Sequence, residues 1–215
     1  MIRTITAGKG DANVGPEAVL DQLREGNRHW ASGRLHRAGY TPQRRREAAA
    51  GQEPHATVFT CVDSRVPAEL VFHAGLGDLL VTRTAASVLD DAATASVVFG
   101  PAALDVPLVV VLAHQRCGAV TAAVTAHRTG TPAPDWLAPI EKALRPAYDS
   151  AAVATAGAAM AEQEELVNRT AYEHARLTAA ALRSHPTLAP RVGAGQLDVV
   201  AGWYSLDTGL VEFYR

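Results

Sequence analysis

Short apolar runs punctuate this chain, and between them the apolar residues recur at helical spacing. Thr57 to Cys61 and Leu79 to Thr82 read as strands. Pro107 to Ala113 (PLVVVLA) has no polar position at all. A strand without a polar side has no face to turn to water, so this one belongs in the centre of a parallel sheet covered on both faces. Leu197 to Tyr204 and Leu210 to Tyr214 complete the strands, with a hairpin predicted at Asp207-Thr208-Gly209 between them. Helical spacing covers Pro67 to His73, Asp90 to Leu104, Gly118 to His127, Trp136 to Tyr148 and about Met160 to Arg183, and the Ala-rich stretch Ala147 to Ala161 is compatible with helix.

Upstream, Val19, Leu20, Leu23 and Trp30 share one face of a helix from Pro16 to Ala31, with Pro16 suited to its first turn. Thr41 caps a second helix running to Ala50, with Pro42 just inside it. Its Arg44-Arg45-Arg46 run reads as a solvated face, with anion binding as the alternative. The first 15 residues lack periodicity and read as a flexible arm. Gly8-Lys9-Gly10 within them has neither the preceding strand nor the following Gly-Lys-Ser/Thr of a phosphate loop. Strands alternating with helices predict an α/β fold: a mostly parallel sheet flanked by helices, with an N-terminal helical arm and a C-terminal antiparallel edge strand. The expected organisation is one domain, with the arm at 1–15, N-terminal helices at 16–50 and the α/β core at 56–215.

Composition narrows the function. Lys and Arg number 20 against 22 Asp and Glu, a net charge of −2 over 215 residues, which argues against a nucleic-acid partner. Runs such as Val106 to Ala113 fall far short of the ~20 residues of a membrane helix. The N-terminal stretch has no apolar signal core, so a cytoplasmic protein with no membrane association is expected. Two cysteines, at 61 and 117, make no disulfide framework.

Those two cysteines carry the chemistry. Cys61 closes one predicted strand and opens Cys61-Val62-Asp63-Ser64-Arg65-Val66-Pro67, and the central strand leads into His114-Gln115-Arg116-Cys117-Gly118. Ligand-binding groups of open α/β sheets gather at the carboxyl ends of neighbouring strands, where Cys61 and His114 both fall. Two thiolates and an imidazole suit Zn²⁺, and three protein ligands leave a fourth position for water. Cys117 falls near a helix N-terminus, where the dipole favours thiolate. The competing readings are two small buried hydrophobes or a metal-free thiol redox pair. Asp63 and Arg65 place a carboxylate beside a guanidinium that can grip it bidentately, or form only an Asx turn with a surface ion pair.

The chain resembles the β-class carbonic anhydrases. The resemblance rests on Cys-x-Asp-x-Arg and His-x-x-Cys-Gly about fifty residues apart. Leu23-Arg24-Glu25-Gly26-Asn27, Gly75-Leu76-Gly77-Asp78 and Pro107 to Leu112 extend it over most of the chain. It implies that Cys61, His114 and Cys117 are zinc ligands and that Asp63 and Arg65 are the catalytic dyad. Gln52 would reach a partner subunit's substrate site. It also implies a homodimer or tetramer, with the N-terminal helix a candidate embracing arm. The implied reaction is hydration of carbon dioxide to bicarbonate and a proton by a zinc-bound hydroxide. The substrate slot is expected to include Val66, Phe72 and Gly118. Hydrolysis of carbon disulfide or carbonyl sulfide on the same fold, and a non-catalytic zinc protein, are the alternatives. The chain departs from the family at His73-Ala74, where Asp-Gln is common, and at Ala86-Ser87, where Gly-Asn is common. His73 reads as a proton shuttle or as an interface or surface histidine. Arg83 and Tyr204 match two positions of an inhibitory bicarbonate pocket found in some members, but its Trp position holds Val58.

Overall fold

The computed structural model describes residues 14–34, 37–154 and 162–215. Gly8-Lys9-Gly10 and most of the expected arm lie outside the described residues, as does the end of the Ala-rich stretch.

Five strands form one sheet in the order β2-β1-β3-β4-β5. β1 (Ala56–Cys61), β2 (Leu79–Thr84), β3 (Leu108–His114) and β4 (Asp198–Tyr204) are parallel, and β5 (Val211–Tyr214) returns antiparallel to β4 at the edge. β3 is central and buried along its whole length. Its alternate residues feed two cores, since Val109, Val111 and Ala113 face one layer and Leu108, Val110 and Leu112 the other. The first layer is closed by α4 (Asp91–Ala103), α5 (Gly118–Thr129), α6 (Ala138–Ala154) and α7 (Glu162–Arg183). The second is closed by α1 (Pro16–Ala31) and the short α3 (Ala68–Val71). α2 (Pro42–Ala49) buries no residue, and Thr41 caps it as expected by accepting from the Arg44 N–H.

α1 lies on its own chain's sheet. Val19, Leu20 and Leu23 are buried there, and a Cβ on Gly26 would collide with the Phe72 carbonyl. Buried Asn27 fastens the helix, donating to the Val71 and Gly209 carbonyls at 3.1 and 2.8 Å and accepting from the Val211 N–H at 2.8 Å. A second tether follows. A Cβ on Gly39 would sit 2.6 Å from the Cα of Gly75, Leu76 donates its N–H to the Gly39 carbonyl, and Tyr40 donates to the Ala74 carbonyl.

Several boundaries differ from expectation. β2 continues through Arg83 and Thr84, because an edge strand is only half-buried and accepts polar residues. α3 is shorter than Pro67 to His73, since Pro67 is its cap and His73 turns to φ 51°. α6 runs beyond Tyr148 to Ala154. Short 3₁₀ turns at Arg37–Tyr40 and Ala85–Ser87, and α8 (Ala189–Gly193), had no periodic signal to announce them.

Candidate metal centre

β1 ends in Cys61, β3 ends in His114, and Cys117 is the N-cap residue of α5. Parallel neighbours in register bring these ends to one corner of the sheet. The two sulfurs and a ring nitrogen of His114 lie within 4.8 Å of one another, all three residues being buried. The sulfurs are 3.8 Å apart. Two thiolates on a tetrahedral zinc with ~2.3 Å bonds would be separated by about 3.8 Å, the same spacing. His114 points one nitrogen, Nδ1, at the Gln115 carbonyl at 3.0 Å; a carbonyl only accepts, so Nδ1 carries the proton. Nε2 is then a lone-pair nitrogen, buried without a hydrogen-bond partner. An orphaned acceptor beside two thiols fits a metal ion of zinc's type. The 3.8 Å contact between the sulfurs favours one thiolate and, together with burial, opposes a second.

Asp63 stands at the mouth of this corner, its Oδ2 3.9 Å from His114 Nε2. Arg65 grips it at both oxygens, Nε to Oδ1 at 2.9 Å and Nη2 to Oδ2 at 2.7 Å, and the Arg65 N–H adds a third bond to Oδ1. These hydrogen bonds outweigh partial burial and hold the Asp63 carboxyl down at about 2. Arg83, from β2, donates to the carbonyls of Cys61 and Asp63 at 2.9 and 2.5 Å and so fixes the backbone that carries both groups. Behind the triad a small cavity is walled by Ala86, Ser87, Val120, Ala171 and His174. Ala86 and Ser87, two of the departing positions, both adopt left-handed φ, 54° and 57°.

The other expected residues fall elsewhere. Val66 and Phe72 are fully buried in the layer beneath α1 and do not wall the cavity behind the triad. Gly118 is exposed at the start of α5 with open space where a side chain would be, and Gln52 is exposed ahead of β1. His73 faces α1, its Nδ1 3.3 Å from that of His29. Arg83 serves backbone carbonyls, and the Tyr204 hydroxyl accepts from Trp30 Nε1 at 3.0 Å.

A family model described as carbonic anhydrase matches residues 56–211. Carbonic anhydrase 2 of Mycobacterium tuberculosis is 35% identical over 200 residues, covering 92% of each chain. The β-carbonic anhydrase CafA of Aspergillus fumigatus superposes with a TM-score of 0.72 at 24% identity, over 93% of this chain and 90% of that one. One of two tetrameric β-carbonic anhydrases from Sordaria macrospora superposes at 0.67 and 21% identity, over 91% and 96%.

Proposed function

The chain belongs to the β-class carbonic anhydrase family, and from that membership we propose that it is a zinc lyase. The reaction is the reversible hydration of carbon dioxide to bicarbonate and a proton. Cys61, His114 and Cys117 would hold the zinc, with Asp63 and Arg65 acting beside it. The observation that carries the reading is the orphaned His114 Nε2 among two sulfurs, with an ionised carboxylate 3.9 Å away.

Zinc bound there supplies a Lewis acid that lowers the pKa of a water molecule from about 15.7 toward neutrality. The chain's own residues do the rest. Asp63, kept ionised by Arg65, accepts a hydrogen bond from the attacking water and aims its oxygen lone pair at the carbon of carbon dioxide. Arg65 keeps that carboxylate from swinging toward the cation. Arg83 holds the carbonyls on either side of Val62 still, so that Cys61 and Asp63 keep their spacing. The proton lost in forming bicarbonate leaves for solvent past Asp63, which stands at the mouth of the corner.

The same reading makes the active unit a homodimer or tetramer in which exposed Gln52 reaches a partner's substrate and Gly118 leaves room for it. A cytoplasmic setting belongs to it too, in keeping with two uncrosslinked cysteines. Among the described residues no helix is long and apolar enough to cross a membrane.

Stopped-flow hydration of carbon dioxide by metal-analysed protein tests the proposal. We expect about one zinc per chain, turnover well above the buffer rate, and loss of both in Cys117→Ser. Zinc-loaded protein that hydrates no faster than buffer overturns it.

A further inference from the structure

Three residues separate the end of β3 from the start of α5, and two metal-ligand candidates, His114 and Cys117, flank that turn. Arg116 makes the reversal at φ 51°. The left-handed conformation is unfavourable for a residue with a Cβ, so other contacts must hold it there. Three do. The Arg116 N–H donates to Asn168 Oδ1, on α7, at 2.8 Å. Its guanidinium donates to both oxygens of Asp207, at 2.5 and 3.0 Å, and to Glu164 Oε1 at 3.4 Å, and Asp207 also accepts from Gln115 Nε2 at 2.8 Å. Its carbonyl accepts from Arg65 Nη2 at 3.2 Å, the same nitrogen that donates to Asp63 Oδ2.

These contacts form one line of mechanical support. Asn168 and Asp207 hold the turn, the turn aims the Arg116 carbonyl, the carbonyl steadies Arg65, and Arg65 orients Asp63. Asn168 is 52 residues from Arg116 in sequence and comes from a helix that otherwise packs the core. We propose that Asn168 is a positioning residue for the reaction, with Asp207 as the second anchor of the same turn. The inference rests on the carbon dioxide hydration reading and adds to it residues that touch neither metal nor substrate.

Removing the Asn168 acceptor leaves the Arg116 N–H without its partner and releases the strained turn. The carbonyl then drifts from Arg65, and His114 and Cys117 lose their fixed spacing. Asn168→Ala, loaded with zinc, should lose about ten-fold in kcat with little change in KM, and should surrender zinc to a chelator about ten-fold faster. Asn168→Asp keeps an acceptor oxygen and should restore both within about two-fold. If Asn168 acts through Arg65, adding Asn168→Ala to Arg65→Lys should cost little beyond Arg65→Lys alone.

The measurements are stopped-flow hydration and zinc release to a colorimetric chelator on all four proteins and wild type. Wild-type kcat per bound zinc in Asn168→Ala, or losses that multiply in the double variant, overturns the proposal. So do equal release half-times in wild type and Asn168→Ala, whether or not the wild type hydrates carbon dioxide. A zinc-loaded wild type without activity sinks the functional reading instead. Should Asn168→Ala fail to fold, Asp207→Asn at the surface must move the same quantities in the same direction, and wild-type values there overturn the proposal.

Discussion

Arg65 meets Asp63 with two parallel guanidinium bonds, and lysine could reproduce the charge but not the fork. Arg65→Lys should therefore keep its zinc yet lose on the order of 2–3 kcal/mol of transition-state stabilisation, roughly 30- to 150-fold in rate. Hydration rates normalised to bound zinc check this, and a wild-type rate removes the orienting role. A second residue answers to pH. His174 is buried against the Ala86–Ser87 turn, its Nε2 3.3 Å from the Ser87 carbonyl. Burial pushes its pKa down, against the smaller upward pull of that carbonyl. The unfolded chain then takes up a proton below about pH 6.5 that the folded chain resists. This contribution to stability is complete above that pH and falls as pH drops, at up to about 1.4 kcal/mol per unit. Replacing the group as His174→Gln should flatten the loss of stability between about pH 7.5 and 5.5 in urea titrations. Parallel slopes in the two proteins would exclude it. The cluster of Cys61, His114 and Cys117 was legible at this scale, because thiols and an imidazole at strand ends are rare enough to stand out. An apolar side chain beside a motif, such as Val66 or Phe72, looks the same in sequence whether it faces a site or the core. Asn168 and Asp207 were invisible too, as a polar residue on a distant helix or hairpin gives no local signal.

Elements announced themselves by burial or by caps, since α2 buries no residue yet was marked by Thr41 and Pro42. β3, apolar up to His114, reads as the centre of the sheet from its residues alone, and α1 matches its expected span of Pro16–Ala31. The edge strand β2 was cut short because Thr-Arg-Thr carries no apolar alternation. What periodicity misses is how closely elements approach. Gly100 lies inside α4, and a Cβ there would run into Thr57 Oγ1 on β1 and come within 2.9 Å of Leu80 on β2. Gly100→Ala gains about 1 kcal/mol of helix propensity but overpacks this contact, which typically costs about 1–3 kcal/mol. Net destabilisation is expected, read as a lower urea midpoint. Thr57 Oγ1 is buried without a hydrogen-bond partner, so deleting it costs little. Adding Thr57→Ala to Gly100→Ala should recover most of the loss. A double variant as unstable as the single one would show that the helix is held off the sheet by something else.

At the scale of the whole molecule, the proposed function would have the site borrow from a neighbour. Gln52 is exposed ahead of β1 and has a role only if another subunit presents its metal corner to it. The smallest active species should be a dimer, so activity should follow the dimer peak in sedimentation at assay concentration. An active monomer of 22.6 kDa would remove the role given to Gln52. The seam between Gly39 and Gly75 bears on the same molecule from another side. Neither glycine has a positive φ, so neither is there for a turn; each is there because the other's backbone occupies the space a side chain would need. Shrinking a neighbour cannot make room, because the obstructing atoms are main chain. With the two backbones where they stand, only one of the twenty amino acids fits at either position. These two residues, remote from all the chemistry, should therefore be as intolerant of substitution in a saturation scan as the cysteines themselves. A functional ranking drawn from such a scan alone would mistake a seam for a site.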